Sequence, residues 1–178
     1  YSKIISADKS IKAGEYYLDS SNSIHTYIKL FSSGQIHYRK LTLLPGMTLN
    51  DIYLLRLEEG LINDLGKYPE ISLKELGINY TEGMFYPDTY FFQKGDKYSS
   101  ILLIAQEKWK SQSEILWSDR NEILPYKNLT EAITLASIIE KEGLEKNKIA
   151  GVFINRLRIG MKLQSDPTVI YALGKDFD

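Results

Sequence analysis

The sequence has no cysteine, so it can form no disulfide and offers no thiolate as nucleophile or metal ligand. Histidine is nearly absent too. His25 and His37 lie in separate segments, which argues against a histidine-based metal site. Long apolar runs are missing, the longest falling far short of the ~18 residues needed to cross a bilayer. No basic block appears, and 22 basic residues against 23 acidic ones leave a net charge of −1, so no nucleic-acid partner is expected. An initiator methionine and a signal peptide are also lacking. The chain begins at Tyr1 and reads as a segment of a longer polypeptide, with any upstream anchor outside it.

What is present is ordinary globular material. The 178 residues, 43% of them apolar, suffice for one domain or for two small ones sharing an interface. The first 62 residues contain a faint repeat. "NSIHTYIKLFSSGQI" and "TLNDIYLLRLEEGLI" align Tyr27 with Tyr53, Gly34 with Gly60 and Ile36 with Ile62. Each copy starts at a capping candidate, Ser23 or Thr48, runs amphipathically, and stops at a glycine suited to a helix end. The preceding runs "GEYYL" and "HYRKLTL" favour strands, so a strand–helix–strand–helix order is expected.

From Leu73 to Tyr80 the pattern is mixed, and "TEGMFYPDTYFFQKGD" is dense in aromatic and turn residues. Asp96 is positioned to cap a long helix through "KYSSILLIAQEKWKSQSEILWSD". Beyond Pro125 a second helix is expected from Thr130 as N-cap, with Glu131 in its first turn and Gly143 at its end. A third, "EKNKIAGVFINRLRIG", gathers Ile149, Val152, Phe153 and Leu157 on one face. "MKLQ" follows as a short strand, and Asp166 caps a last helix with Pro167 at its first position. The second half is therefore expected to be mainly helical.

The chemistry concentrates in "ASIIEKEG", residues 136–143, where Glu140 and Glu142 close an apolar run. Side chains two apart on a helix point ~200° away from each other, so the two carboxylates need different surroundings. "AITLASII" is apolar nearly all round, the pattern of a helix buried on most faces. Glu140, one turn beyond Ala136, then faces the drier side, whereas Glu142 lies among Lys141, Glu145 and Lys146. Burial favours the neutral, proton-donating form of a carboxyl, which is the form a general acid needs. The periodicity nominates Glu140 without deciding against a boundary glutamate paired with a lysine or arginine.

In order, "KAGEYYL", "LPGMTL", "EGMFYPDTY", "ASIIEKE" and "VFINRLRIGMKLQSDPTVIYALG" resemble the endolytic murein transglycosylases of the YceG-like (MltG) family. The similarity runs along essentially the whole chain. Its specific part is "ASIIEKE" followed by "NRLRIGMKLQSDPTVIYALG"; "LPGMTLNDIYLL" is a weak signal. The resemblance implies an α+β fold: a small LysM-like strand–helix subdomain over 1–72, then a mainly helical catalytic subdomain over 73–178 with short β elements. The latter would be incomplete at its C-terminal end, because the family continues past "VIYALG".

The resemblance further implies a lytic transglycosylase acting on peptidoglycan glycan strands, without cofactor or metal. Cell-wall synthesis proteins would be further partners, and an N-terminal membrane anchor outside this sequence would hold the domain on the outer side of the cytoplasmic membrane, in the periplasm or its equivalent. The family's catalytic glutamate matches Glu140. Its polar cleft positions match Asn155, Arg156, Gln164, Asp166 and Thr168, and "EGMFYPDTY" contributes Glu82, Tyr86 and Asp88, with Pro87 and Tyr90 at further matching positions. Local alternatives stand beside these roles. Asp166 before Pro167 suits an N-cap, Asp88 after Pro87 suits a turn, and Tyr86, Tyr90, Phe91 and Phe92 suit a core. Asn155 and Arg156 suit a solvated helix face, from which Arg156 could reach a carboxylate or an acetamido oxygen. Two open alternatives to the lyase are a non-catalytic peptidoglycan-binding or scaffolding domain and a hydrolase pairing Glu140 with Glu82 or Asp88.

Overall fold

A computed structural model describes residues 11–66 and 69–174, without the side chain of Ser72. The architecture is α+β, with seven α-helices around one two-stranded sheet among the described residues. Ser23 caps α1 (Ile24–Ser33) by accepting from the Thr26 N–H, and Gly34 ends it at φ +70°. Strand β1 (Arg39–Thr42) follows, then α2 (Leu49–Leu54), which runs into a single 3-10 turn at Leu55–Leu57. The expected cap at Thr48 is present as a reciprocal capping box with Asp51. "GEYYL" is not a strand: the His37 N–H donates to the Glu15 carbonyl at 2.7 Å, but no ladder forms.

Two elements lay in segments that periodicity left unresolved. Helix α3 (Pro69–Glu75) begins on a proline, a residue already shaped for a first helical turn. Strand β2 (Thr89–Phe92) emerges from the aromatic segment and pairs antiparallel with β1, placing Leu41 opposite Tyr90 and Arg39 opposite Phe92. Alternation sends Leu41, Tyr90 and Phe92 inward, while Lys40 and Phe91 face out with the ammonium 5.8 Å from the ring centroid.

The core lies beneath this sheet. Leu41, Leu43, Ile52, Leu65, Leu73, Phe85, Tyr90 and Phe92 pack with Tyr98, Ile101, Leu102 and Ala105 from the first turns of α4 (Tyr98–Ser118). The expected division between positions 72 and 73 falls inside this unit, since β1 and β2 lie on opposite sides of it and share both ladder and core. Asp96 does not cap α4; its carboxylate instead accepts from the Gln93 N–H at 2.7 Å. The distant Asp64 serves, accepting from the Ser99 N–H at 3.1 Å and from its hydroxyl at 2.5 Å.

Three helices complete the described residues: α5 (Leu129–Glu142), α6 (Lys146–Arg158) and α7 (Asp166–Leu173). Helix α5 is capped by Asn128 and not by Thr130. The Asn128 Oδ1 accepts from the Glu131 N–H at 2.9 Å, and Glu131 returns to the Lys127 N–H at 2.7 Å. Burial here is thin. Among the described residues of these helices and their connections, only Leu135, Phe153 and Ser165 are buried, so the expectation of a helix dry on most faces does not hold for α5. "MKLQ" is irregular rather than a strand, and the cap residue of α7 is Ser165, with Asp166 one position inside. No helix among the described residues is long and apolar enough to cross a membrane.

Candidate active site

The two glutamates that close α5 face different neighbours. Glu140, its side chain 27% exposed, receives an ion pair from Lys146 beyond the turn at Gly143, as a boundary glutamate would. Its other neighbour is the "LPGMT" loop. A Cβ placed on Gly46 would lie 3.5 Å from Glu140 Cγ and 2.9 Å from Lys141 Cε. Gly46 has φ +76°, so the glycine both allows the turn and makes room for these side chains. Glu142 accepts from the Ser165 hydroxyl at 2.6 Å, on the "QSDPT" side. The helical-face geometry thus separates the pair as the sequence implied.

The loop beside Glu140 is firmly set. Leu43 extends the β ladder by donating to the Asp88 carbonyl at 2.9 Å, and the Thr48–Asp51 capping box fixes the exit. Hydrogen bonds from the backbone and side chain of Thr48 hold the Asp51 carboxyl below its ordinary value, with Lys141 adding to the effect. Glu82 reaches the same segment, its Oε1 accepting from the Leu49 N–H at 3.1 Å, and the neighbouring Tyr80 hydroxyl donates to the Leu49 carbonyl at 2.8 Å. A Cβ on Gly83 would come within 3.0 Å of Ile133 Cγ2, so the "EGMFY" stretch lies directly against α5. Partial burial raises the Tyr171 phenol on α7, and Glu82 adds charge and a hydrogen bond in the same direction.

The remaining candidates fall in two other places. Gln164, Arg156 and Glu142 line a cavity of about 450 Å³ floored by Ile149, Val152 and Phe153, and Glu140 is not among its lining residues. Gln164 has φ +52°, a left-handed conformation uncommon for its residue type. Arg156 donates to the Leu163 carbonyl and so braces that loop, and the Thr168 hydroxyl donates to the Ser165 carbonyl at 2.6 Å. Asn155 and Asp166 are exposed. Asp88 is paired with Lys108 of α4 and accepts from the Thr89 N–H at 2.7 Å; the Lys108 bond, then the backbone bond, hold its carboxyl low. Tyr86 lies under the same ammonium at 5.2 Å, while Tyr90 is core, its hydroxyl donating to the Tyr86 carbonyl at 2.6 Å and its phenol pushed up to about 12 by burial.

A second hollow, about 430 Å³ beside α3, contains none of the candidates. Among the described residues no cluster of three or more histidine, aspartate or glutamate side chains has the arrangement to hold a metal ion. Sequence reasoning did not single out Gly46, Lys146, Ser165 or Tyr171. For Gly46 a signal was available in the quoted "LPGMTL", where a glycine follows a proline at a turn.

Comparison with known proteins gives this loop-and-helix arrangement its context. The sequence profile described as the YceG-like family matches residues 1–178. The chain belongs to the YceG-like family. One relative, named endolytic murein transglycosylase in Bacillus subtilis strain 168, is 31% identical over 192 residues, 94% of this chain and 53% of that protein. A second of the same name, from Streptococcus pneumoniae serotype 2 strain D39, is 29% identical over 208 residues, 93% of this chain and 36% of that protein. The crystal structure of a YceG-like protein from Listeria monocytogenes superimposes with a TM-score of 0.52 at 27% identity, over 97% of this chain and 64% of that one. The chain thus spans about half the length of the Bacillus relative, and less of the Streptococcus one.

Proposed function

We propose that this chain carries the acid–base carboxylate of a peptidoglycan lytic transglycosylase, and that Glu140 is that group. The observation behind the reading is one helix-end glutamate, half-buried against a glycine loop, in a chain matched along its length by a family whose named relatives are endolytic murein transglycosylases. The bond cut joins N-acetylmuramic acid to N-acetylglucosamine. Glu140 gives its proton to the glycosidic oxygen as the C–O bond breaks. As a carboxylate it then takes the proton of the muramoyl 6-hydroxyl, whose oxygen closes on the anomeric carbon. The product is a 1,6-anhydro sugar, and the carboxyl ends protonated as it began, with no water consumed.

Glu82, at the same loop, is the carboxylate we assign to offset positive charge on the ring, with Asp166 the other candidate. Arg156, Gln164, Asn155 and Thr168 form a second wall that holds the strand, and Tyr86 with Asp88 a third. The LysM-like part expected over 1–72 is here extended to Phe92, because β1 pairs with β2 across that boundary. Acting on cell wall, the domain lies outside the cytoplasm, held at the membrane by an anchor beyond the residues described.

The test is mass analysis of glycan strands digested by the full-length protein. Anhydro ends support the lyase, new reducing ends would indicate a two-carboxylate hydrolase, and intact strands a binding domain. Glu140→Gln keeps shape and hydrogen bonding but removes the transferable proton, so turnover should fall by about 10² or more with the fold intact. Glu142→Gln, bonded to Ser165 on another side, should cost far less. Equal losses at the two positions would refute the assignment.

A further inference from the structure

Glu140 meets its ion-pair partner across a chain reversal. Lys146 lies six residues on, past Gly143, and its ammonium donates to Glu140 Oε2. The other lysines at the turn are differently placed: Lys148 is bonded to Glu145 at 2.6 Å, and Lys141 lies against Gly46 with its charge felt at Asp51. An ammonium has donors only, so the oxygen it engages serves as an acceptor. The carboxyl must be quit of that partner before this oxygen can hand a proton to a sugar. Both side chains are partly open to water, Lys146 at 45% and Glu140 at 27%, and an ion pair so placed is weak and yields readily to a competing anion.

A peptidoglycan strand brings such an anion. Each muramoyl ring carries a lactyl substituent extended by a short peptide with free carboxylates, on the same sugar whose glycosidic bond is cut. We propose that Lys146 binds a carboxylate of this peptide-bearing substituent, and that its transfer from Glu140 to the substrate frees Glu140 to act. The proposal rests on the assignment of Glu140 made above. In sequence, the Lys146–Glu140 bond breaks and the Lys146–substrate carboxylate bond forms. Glu140 takes a proton from solvent, gives it to the glycosidic oxygen, and recovers one from the 6-hydroxyl. Product release returns Lys146 to the carboxylate, whose proton goes back to solvent. A strand without peptide carboxylates leaves the clasp closed, so the enzyme favours peptide-bearing glycan.

The experiment compares native strands with strands whose carboxylates have been converted to amides, using the full-length protein. Wild type should lose about tenfold or more in kcat/KM on the amidated strands, the scale of one charge-assisted hydrogen bond. Lys146→Met should cleave both with kcat/KM values agreeing within about twofold, while Lys146→Arg, which keeps the charge, should retain the preference. Equal discrimination by wild type and Lys146→Met, or none by wild type, overturns the proposal. Turnover surviving in Glu140→Gln is a separate outcome that refutes the underlying assignment. A measurement on wild type needs no variant to fold. The side-chain nitrogen resonance of Lys146, followed by NMR, should shift on adding N-acetylmuramoyl dipeptide and stay put with its amidated form. An unmoved resonance, or equal shifts with both, also overturns it.

Discussion

At the scale of single residues, Gly46 sets the loop against Glu140. Its φ of +76° costs a side-chain-bearing residue roughly 1 kcal/mol, and an added methyl would press on Lys141 Cε at 2.9 Å. Lys141 is flexible enough to retreat, so Gly46→Ala should lower stability by only about 1–2 kcal/mol in urea melts. Glycan cleavage should fall by more than that stability change explains, because the retreating side chain adjoins Glu140. An unchanged cleavage rate would show that the loop has no part in the site. The opposed directions of Glu140 and Glu142 were legible because a helix fixes the angle between them. The pairing of Glu140 with Lys146 was not, since it depends on how the chain reverses at Gly143, which no periodicity encodes.

Elements were legible where local chemistry closes on itself. Ser23 and Thr48 cap the helices expected of them because each cap bond spans only three residues. Two of the misses have a non-local cause, whereas Asn128 in place of Thr130 at the start of α5 is a local one. Helix α4 is capped by Asp64, 35 residues upstream of Ser99, and β2 exists because β1 is there to pair with it. The Thr48–Asp51 box also carries a pH signature. Asp51 titrates below its ordinary value of 3.8, so the folded state binds that proton less readily than the unfolded chain. Its contribution is full above the unfolded value and disappears as pH falls through the lower, folded one. Urea midpoints of wild type and Asp51→Asn should therefore differ most near neutrality and converge below about pH 4. A difference independent of pH would mean that the carboxylate's charge contributes nothing to the cap.

Across the whole molecule, burial is uneven in a way that composition could not show. Leu65, Leu73, Tyr98, Leu102 and Ala105 are fully enclosed beneath the sheet, whereas α6 contributes only Phe153 to the buried set and α7 contributes none. Hydrophobic stabilisation follows apolar area removed from water, so the two regions should open at different free energies. Native-state hydrogen exchange should find the amides of β1, β2 and the first half of α4 protected to the limit of global unfolding. Those of α6 and α7 should exchange through smaller, earlier openings. Substitutions should separate along the same line. Leu102→Ala leaves a cavity at the centre of the core and should lower the global limit by about 2–5 kcal/mol, and every core amide with it. Phe153→Ala should accelerate exchange in α5, α6 and α7 while leaving the protection of Leu41 and Tyr90 unchanged, because Phe153 lies outside the core cluster beneath the sheet. If instead Phe153→Ala lowered the protection of the sheet by as much as that of α6, the helices carrying Glu140 and the unit carrying the "LPGMT" loop would be one cooperative body. The loop facing Glu140 could then not move independently of it.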